Sequence, residues 1–148
     1  EGSEKVLDFG CGMGGVAYYA LMRLERGHLT CLDISERWLK ACRKKLRRFE
    51  NVSFLCAGAD SLPPESYDLI FCHFVLHDIS DEELEAAVFS LAKTLKPGGT
   101  LVFKEPLGYS EKIRAIKKLM NECGLELKSG RIVDVPLMGS ALESVYVK

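Results

Sequence analysis

The sequence predicts an α/β fold, a mostly parallel sheet covered by helices. Three observations carry that expectation. Short apolar runs alternate with helical patterns almost throughout. A glycine-rich turn follows the first apolar run, and the last two apolar segments are joined by a short link that allows an antiparallel pair. Composition fits a soluble globular chain of 148 residues, with 47% hydrophobic and 28% charged residues. A net charge of −1 exerts no general pull on nucleic acid or anionic membrane. No apolar run approaches a membrane span and no signal peptide is visible, so a cytoplasmic location is expected.

The first strand is expected over Lys5–Phe9, with its helix at 14–25 and Gly27 suited to the C-terminal cap. A second strand at 29–32 runs into Asp33, and Ser35 can N-cap a helix that continues to about residue 48. Val52–Cys56 forms a third strand, followed by the turn Gly58-Ala59-Asp60-Ser61-Leu62-Pro63-Pro64, and 67–72 a fourth. Ser80-Asp81-Glu82-Glu83 reads as a capping box, starting a helix at Asp81 that ends near Leu95. Lys96-Pro97-Gly98-Gly99 turns the chain into a fifth strand at 100–104, and Ser110 caps a helix that stops at Gly124. Strands at 125–135 and 141–147 close the count at seven. Their link contains Pro136 and Gly139. No repeat or linker interrupts the chain, so residues 1–148 are expected to form one domain.

The most informative segment is Val6-Leu7-Asp8-Phe9-Gly10-Cys11-Gly12-Met13-Gly14-Gly15. Glycines packed this closely after a strand let the backbone turn sharply and approach a ligand with no side chain in the way. Gly10, Gly12 and Gly15 satisfy the G-x-G-x-x-G pattern of a dinucleotide site, so a nicotinamide or flavin cofactor must be weighed. Asp8 opposes it, because a pyrophosphate on a helix N-terminus would be repelled by a nearby carboxylate. A ligand with an ammonium group and no phosphate suits the loop better.

Asp8-x-Gly10-x-Gly12-x-Gly14 resembles the first motif of the class I S-adenosylmethionine-dependent methyltransferases. The resemblance implies a doubly wound, Rossmann-like α/β fold. Its mostly parallel seven-stranded sheet has an antiparallel C-terminal strand inserted between the fifth and sixth strands, with helices on both faces. It also implies S-adenosylmethionine as the cofactor. Asp33, at the end of the second strand, is placed to accept from both hydroxyls of a ribose, which a nicotinamide dinucleotide would equally require. Asp60 occupies the place where the family sets an acidic residue against the adenine amino group, with Ser61 beside it. The resemblance adds Ile34 and Cys72 to the cofactor-binding set.

The stretch Tyr67 to His77 is similar to the family's fourth motif in small-molecule enzymes and lacks the Asn/Asp-Pro-Pro-aromatic tetrad of nucleobase and glutamine methylation. Leu95-Lys96-Pro97-Gly98-Gly99-Thr100-Leu101 resembles its turn into the fifth strand. The implied activity is methyl transfer to a small molecule by in-line displacement. Alignment of the nucleophile supplies most of the catalysis there, about 7–11 kcal/mol, and a base adds about 10²–10⁴-fold. His73, just past the fourth strand, is the first candidate base, with His77 and Asp78 further along.

Three other features bear on partners. The expected helix over 37–48 carries seven basic residues (Arg37, Lys40, Arg43, Lys44, Lys45, Arg47, Arg48), which read as a solvated face, with an RNA-contacting surface as the alternative. Trp38 on this helix is expected near the adenine pocket or in the core. The six cysteines contain no C-x-x-C pair and lie mostly in or beside apolar runs, so buried reduced thiols are expected and no metal site. Finally, only four residues precede Lys5, none a methionine, and Glu105 to Tyr109 is too short for a roof over the site. A trimmed core, a large substrate or a protein partner completing the site would each account for that. Alternative readings are a cofactor-binding module and an NAD-binding oxidoreductase domain.

Overall fold

The computed structural model describes residues 2–136 and 139–148. Seven strands form one sheet in the order β3-β2-β1-β4-β5-β7-β6. The strands are β1 (Lys5–Phe9), β2 (His28–Asp33), β3 (Val52–Cys56), β4 (Tyr67–His73), β5 (Leu95–Pro106), β6 (Glu126–Val135) and β7 (Gly139–Val147). The first five pair in parallel, and β7 runs antiparallel to both β5 and β6. The implied insertion of the last strand is therefore present. Leu137 and Met138, in the middle of the β6–β7 link, lie outside the described residues.

Helices α1 (Gly15–Leu21) and α2 (Glu36–Leu46) pack on one face, and α3 (Asp81–Thr94) and α4 (Ser110–Glu122) on the other. Each face has its own core. Ala17, Leu21, Leu39, Cys42 and Leu46 cover Val6, Leu29 and Cys31 of β1 and β2. Leu84, Val88, Leu91, Ile116 and Met120 cover Leu7, Ile70, Cys72, Leu101, Phe103 and Tyr146. Strand alternation sorts the residues between the faces, since successive side chains point to opposite sides.

Several boundaries differ from the sequence expectation. Helix α1 stops at Leu21, four residues before the expected end, and Gly27 is not its cap. Leu24 is buried in the core, and the Asn51 side chain donates to the Leu24 and Gly27 carbonyls at 2.9 and 3.0 Å. A partner distant in sequence thus satisfies the carbonyls of the segment that follows the helix. Helix α2 starts as expected, with Ser35 Oγ accepting from Trp38 N–H. At α3 the Ser80 hydroxyl donates to the Glu83 carboxylate and caps no backbone N–H. Ser110 is the first residue of α4, and Tyr109 occupies the cap position. Strand β5 extends to Leu95 and Pro106, beyond the expected 100–104, because pairing with Tyr67 holds its start and pairing with β7 its end.

Candidate functional site

A cavity of about 840 Å³ opens beyond the carboxyl ends of β1, β2 and β4. Sheets of this topology bind ligands there, where the strand order reverses. Gly10 and Gly12 form part of its wall, with Asp33 at the end of β2 and Ile34 after it, Asp60 after β3, and Phe74, Val75 and Asp78 after β4.

The loop after β1 is shaped by left-handed backbone at Gly10, Gly12 and Gly14, with φ of 70°, 51° and 76°. A Cβ on Gly10 would lie 2.2 Å from Val75 Cγ2, so only glycine lets the two loops interlock. A Cβ on Gly14 would lie 2.6 Å from Cys42 Sγ, which seats the start of α1 on α2. Gly12 has open space where its side chain would be, and the residue lines the cavity. The three glycines thus serve contact with the opposite loop, contact with a helix, and ligand approach.

Asp33 fixes the loop as well as facing the cavity. Its Oδ2 accepts from Gly12 N–H and its Oδ1 from Ser35 N–H, both at 2.9 Å. Each carboxylate oxygen keeps a second acceptor site for a ligand hydroxyl. Asp60 lies on a 3₁₀ turn, Ala59–Ser61, with its carboxylate close against Gly58. Ser61 closes that turn by donating to the Gly58 carbonyl at 2.8 Å. Ile34 and Trp38 are apolar residues at the rim, 81% and 45% exposed.

Asp8 lies below the loop and not on the cavity wall. It is buried, and its Oδ2 has no partner among the described residues. Burial pushes the carboxyl up to about 7, with the neighbouring Cys42 adding to the effect. Gly14 acts through packing, and Cys72 is fully buried in the core of the α3/α4 face. Cys72, which the resemblance adds to the cofactor-binding set, is not among the residues that line the cavity.

His73 is also set apart from the cavity. Its ring packs edge-on to Phe71, and its Nε2 is buried without a partner among the described residues. Burial, reinforced by Lys104, lowers its pKa to about 4, so the ring is neutral at neutral pH. Alternation along β4 explains the placement, since His73 follows Phe71 on the face opposite Ile70 and Cys72.

The next residue turns the chain toward the site. Phe74 holds a left-handed conformation, φ 57°, which is strained for a bulky residue. The loop it begins is held by Glu105, which in the sequence marks only the end of a strand. Glu105 is fully buried on β5, and its Oε1 accepts from Val75 and Leu76 N–H at 3.2 and 2.8 Å. Its Oε2 pairs with His77 Nδ1. Burial pushes the Glu105 carboxyl up, against the opposing pull of His77 and the two N–H groups. A charged residue alternating with Leu101 and Phe103 on an otherwise apolar strand face was the signal available in the sequence. The His77 ring lies against Tyr109, centroids 4.4 Å apart, and its Nε2 is 3.4 Å from the Asp78 carboxylate at the cavity wall.

Residues 6–99 match the methyltransferase-domain family. The chain belongs to that family. The chain is 37% identical over 107 residues to a ubiquinone/menaquinone biosynthesis C-methyltransferase (UbiE) of Shewanella piezotolerans, covering 68% of the chain and 42% of the relative. It is 28% identical over 161 residues to phosphoethanolamine N-methyltransferase 3 of Arabidopsis thaliana, covering 97% of the chain and 32% of the relative. The chain therefore spans less than half the length of either curated relative. Among solved structures, the N-methyltransferase NodS of Bradyrhizobium japonicum, in complex with S-adenosyl-L-homocysteine, superposes with a TM-score of 0.85 at 19% identity. The alignment covers 99% of this chain and 79% of NodS. The [4+2]-cyclase SpnF superposes with a TM-score of 0.83 at 17% identity, covering 100% of the chain and 76% of SpnF. Both likenesses show the fold, and the two proteins are named for different reactions.

Proposed function

We propose that the chain binds S-adenosylmethionine in the cavity beyond β1, β2 and β4 and transfers its methyl group to a small-molecule acceptor. The observation that carries the reading is the set of carboxylates around the glycine loop. Asp33 and Asp60 face one cavity, and Asp8 lies buried beneath it with an unpartnered oxygen. That set suits an amino-acid ammonium, ribose hydroxyls and an exocyclic amine, and it opposes a pyrophosphate. Gly10 and Gly12 give backbone access to the ligand, Asp33 accepts from the ribose, and Asp60 accepts from the base amine. Ile34 supplies an apolar edge for the base, and Ser61 holds the turn that carries Asp60. Membership of the family and the S-adenosyl-L-homocysteine bound to NodS support the choice of ligand.

When bound, the cofactor supplies a methyl carbon activated by its sulfonium charge. The chain's own part is to align the acceptor and, where the acceptor carries a proton, to remove it. We assign that proton to His77 and not to His73. With Nδ1–H donated to Glu105, His77 Nε2 carries the free lone pair, and Asp78 beside it stabilises the imidazolium that forms. His73 has its Nε2 buried away from the cavity. His77→Ala is expected to lower methyl transfer to a protonated acceptor by about 10²–10⁴-fold with cofactor affinity unchanged.

Calorimetric titration with S-adenosylmethionine and, separately, NADH tests the ligand. Saturable binding of the former alone, lost in Asp33→Ala, is expected. NADH binding, with no heat from millimolar S-adenosylmethionine, would replace the proposal with an oxidoreductase domain. Transfer of radiolabelled methyl groups into small-molecule pools then tests the reaction.

A second reading is a cofactor-binding domain that catalyses only when another polypeptide segment or a partner covers the site. The apolar rim formed by Ile34 and Trp38 favours it, because a water-filled site holds a small acceptor poorly. Methyl transfer that appears only after adding other proteins from extract would select this reading. Under either reading we take residues 1–148 as one cofactor-binding domain. No helix among the described residues is long and apolar enough to cross a membrane.

A further inference from the structure

Three cysteines that are scattered in sequence meet beneath the glycine loop. Cys11 comes from the loop itself, Cys31 from β2 and Cys42 from α2. Their sulfurs all lie within 4.8 Å of one another, and all three residues are buried. Zinc–sulfur bonds of about 2.3 Å would place three thiolates about 4 Å apart around one ion. Closing the cluster on an ion therefore takes a movement of under about an ångström per sulfur.

The three side chains are carried by held backbone. Cys31 sits in the sheet between Asp8 of β1 and Phe54 of β3. Cys42 is pressed against Gly14, where any side chain would displace its sulfur. Cys11 N–H donates to the Leu32 carbonyl at 3.0 Å. Its Sγ donates to the Gly12 carbonyl at 3.8 Å. Cys11 also retains slight exposure, which gives an ion a way in.

Charge favours a divalent ion. Arg43 and Lys45 follow Cys42 on α2 and bring two positive charges to the helix that carries it. These two cations offset part of the charge of three thiolates. A monovalent ion would leave a net of two negative charges in a buried site, and a divalent ion leaves one.

We propose that Cys11, Cys31 and Cys42 form a three-thiolate site for one thiophilic divalent ion of the zinc–cadmium class. The bound ion ties the cofactor loop at Cys11 to β2 and α2, and its binding releases thiol protons. Spacing rules miss this site because its ligands come from three separate elements, 20 and 11 residues apart, with no local pair.

Cadmium is the probe, added to the freshly reduced full chain. One ion per chain is expected, with the ultraviolet thiolate-to-cadmium charge-transfer band. Cys31→Ser and Cys42→Ser should each weaken binding by at least about 100-fold. The double variant Cys56→Ser/Cys123→Ser should bind as the unsubstituted chain does. Circular dichroism checks that the variants are folded. Cys11→Ser, in the loop and least tied to core packing, repeats the test should the other two fail to fold. Alkylation of the unsubstituted native chain gives a readout independent of any variant, and cadmium should protect Cys11. Binding that survives loss of Cys31 and Cys42, or that disappears with Cys56 and Cys123, would overturn the proposal. So would a chain that binds no cadmium at one equivalent, or a Cys11 that stays equally reactive with the ion present.

Discussion

Gly10, Gly12 and Gly14 share left-handed backbone, yet their neighbours make them unequal. Alanine at Gly12 meets open space, so its cost is confined to the left-handed backbone, about 1–2 kcal/mol, while its methyl enters the ligand's space. Alanine at Gly14 adds a collision with the Cys42 sulfur, and overpacking of that kind costs a further 1–3 kcal/mol or so. Denaturant unfolding paired with calorimetric titration should separate the two. Gly12→Ala is expected to lose ligand affinity out of proportion to its loss of stability, and Gly14→Ala to lose mainly stability. Equal effects on both measurements would contradict the division of roles. Asp8 sets a pH dependence of definite sign. Its folded pKa is raised from 3.8 to about 7, so the folded chain binds the proton more tightly than the unfolded chain. Stability from this group is greatest at low pH and is lost as pH rises between those two values. Asp8→Asn should match the unsubstituted chain near pH 4 and exceed it near pH 8, by a ceiling of about 4 kcal/mol. Urea midpoints measured across that range provide the check, and a constant difference would count against the shift.

Among the elements, strand β7 shows how far packing overrides local chemistry. Its insertion between β5 and β6 buries Tyr146 completely, stacked on Phe103 with centroids 6.0 Å apart. The hydroxyl has no partner among the described residues, and a buried polar group without a hydrogen bond costs about 1–3 kcal/mol. Tyr146→Phe is therefore expected to be neutral or stabilising in denaturant unfolding; a loss above about 1 kcal/mol would mean that the hydroxyl is satisfied after all. The loop after β4 depends on a distant element in the same way. Glu105 on β5 takes the Val75 and Leu76 N–H groups, and its pairing with His77 fixes the orientation of that ring. The interlock of Val75 with Gly10 then joins this loop to the one after β1. Two segments more than sixty residues apart in sequence thus share one wall of the cavity.

Across the domain, ligand binding and folding are linked. A ligand present at about 100 times its dissociation constant adds about 2.7 kcal/mol, which raises the melting temperature of a chain this size by roughly 6–10 °C. S-adenosylmethionine is expected to produce that shift in a thermal melt and NADH none. Seven strands in one sheet between two helical layers also predict a single cooperative transition, since neither core lies on a separable unit. Coincident melts followed by far-ultraviolet and aromatic signals test that, and two separated steps would divide residues 1–148 into more than one folding unit.

The alternation of strands and helices was legible in the chain alone, because burial against one or two layers demands a period of two or of 3.6, and both are written locally. So were the glycine loop and the positions of Asp33 and Asp60, since a sharp turn after a strand and a carboxylate at a strand end are local features. Which side chains meet was settled by the folded arrangement. His73 and His77 lie four residues apart, yet strand alternation buries one on a sheet face and Glu105 orients the other next to Asp78, which lines the cavity. Helix α1 stops at Leu21, and Asn51 holds the segment after it by donating to the Leu24 and Gly27 carbonyls from across the fold. Cys11, Cys31 and Cys42 meet because β2 and α2 are packed beneath the loop. The division has a physical cause. Propensity and patterning act over a few residues, whereas hydrogen-bond satisfaction and close packing are settled among neighbours in space, whatever their separation along the chain.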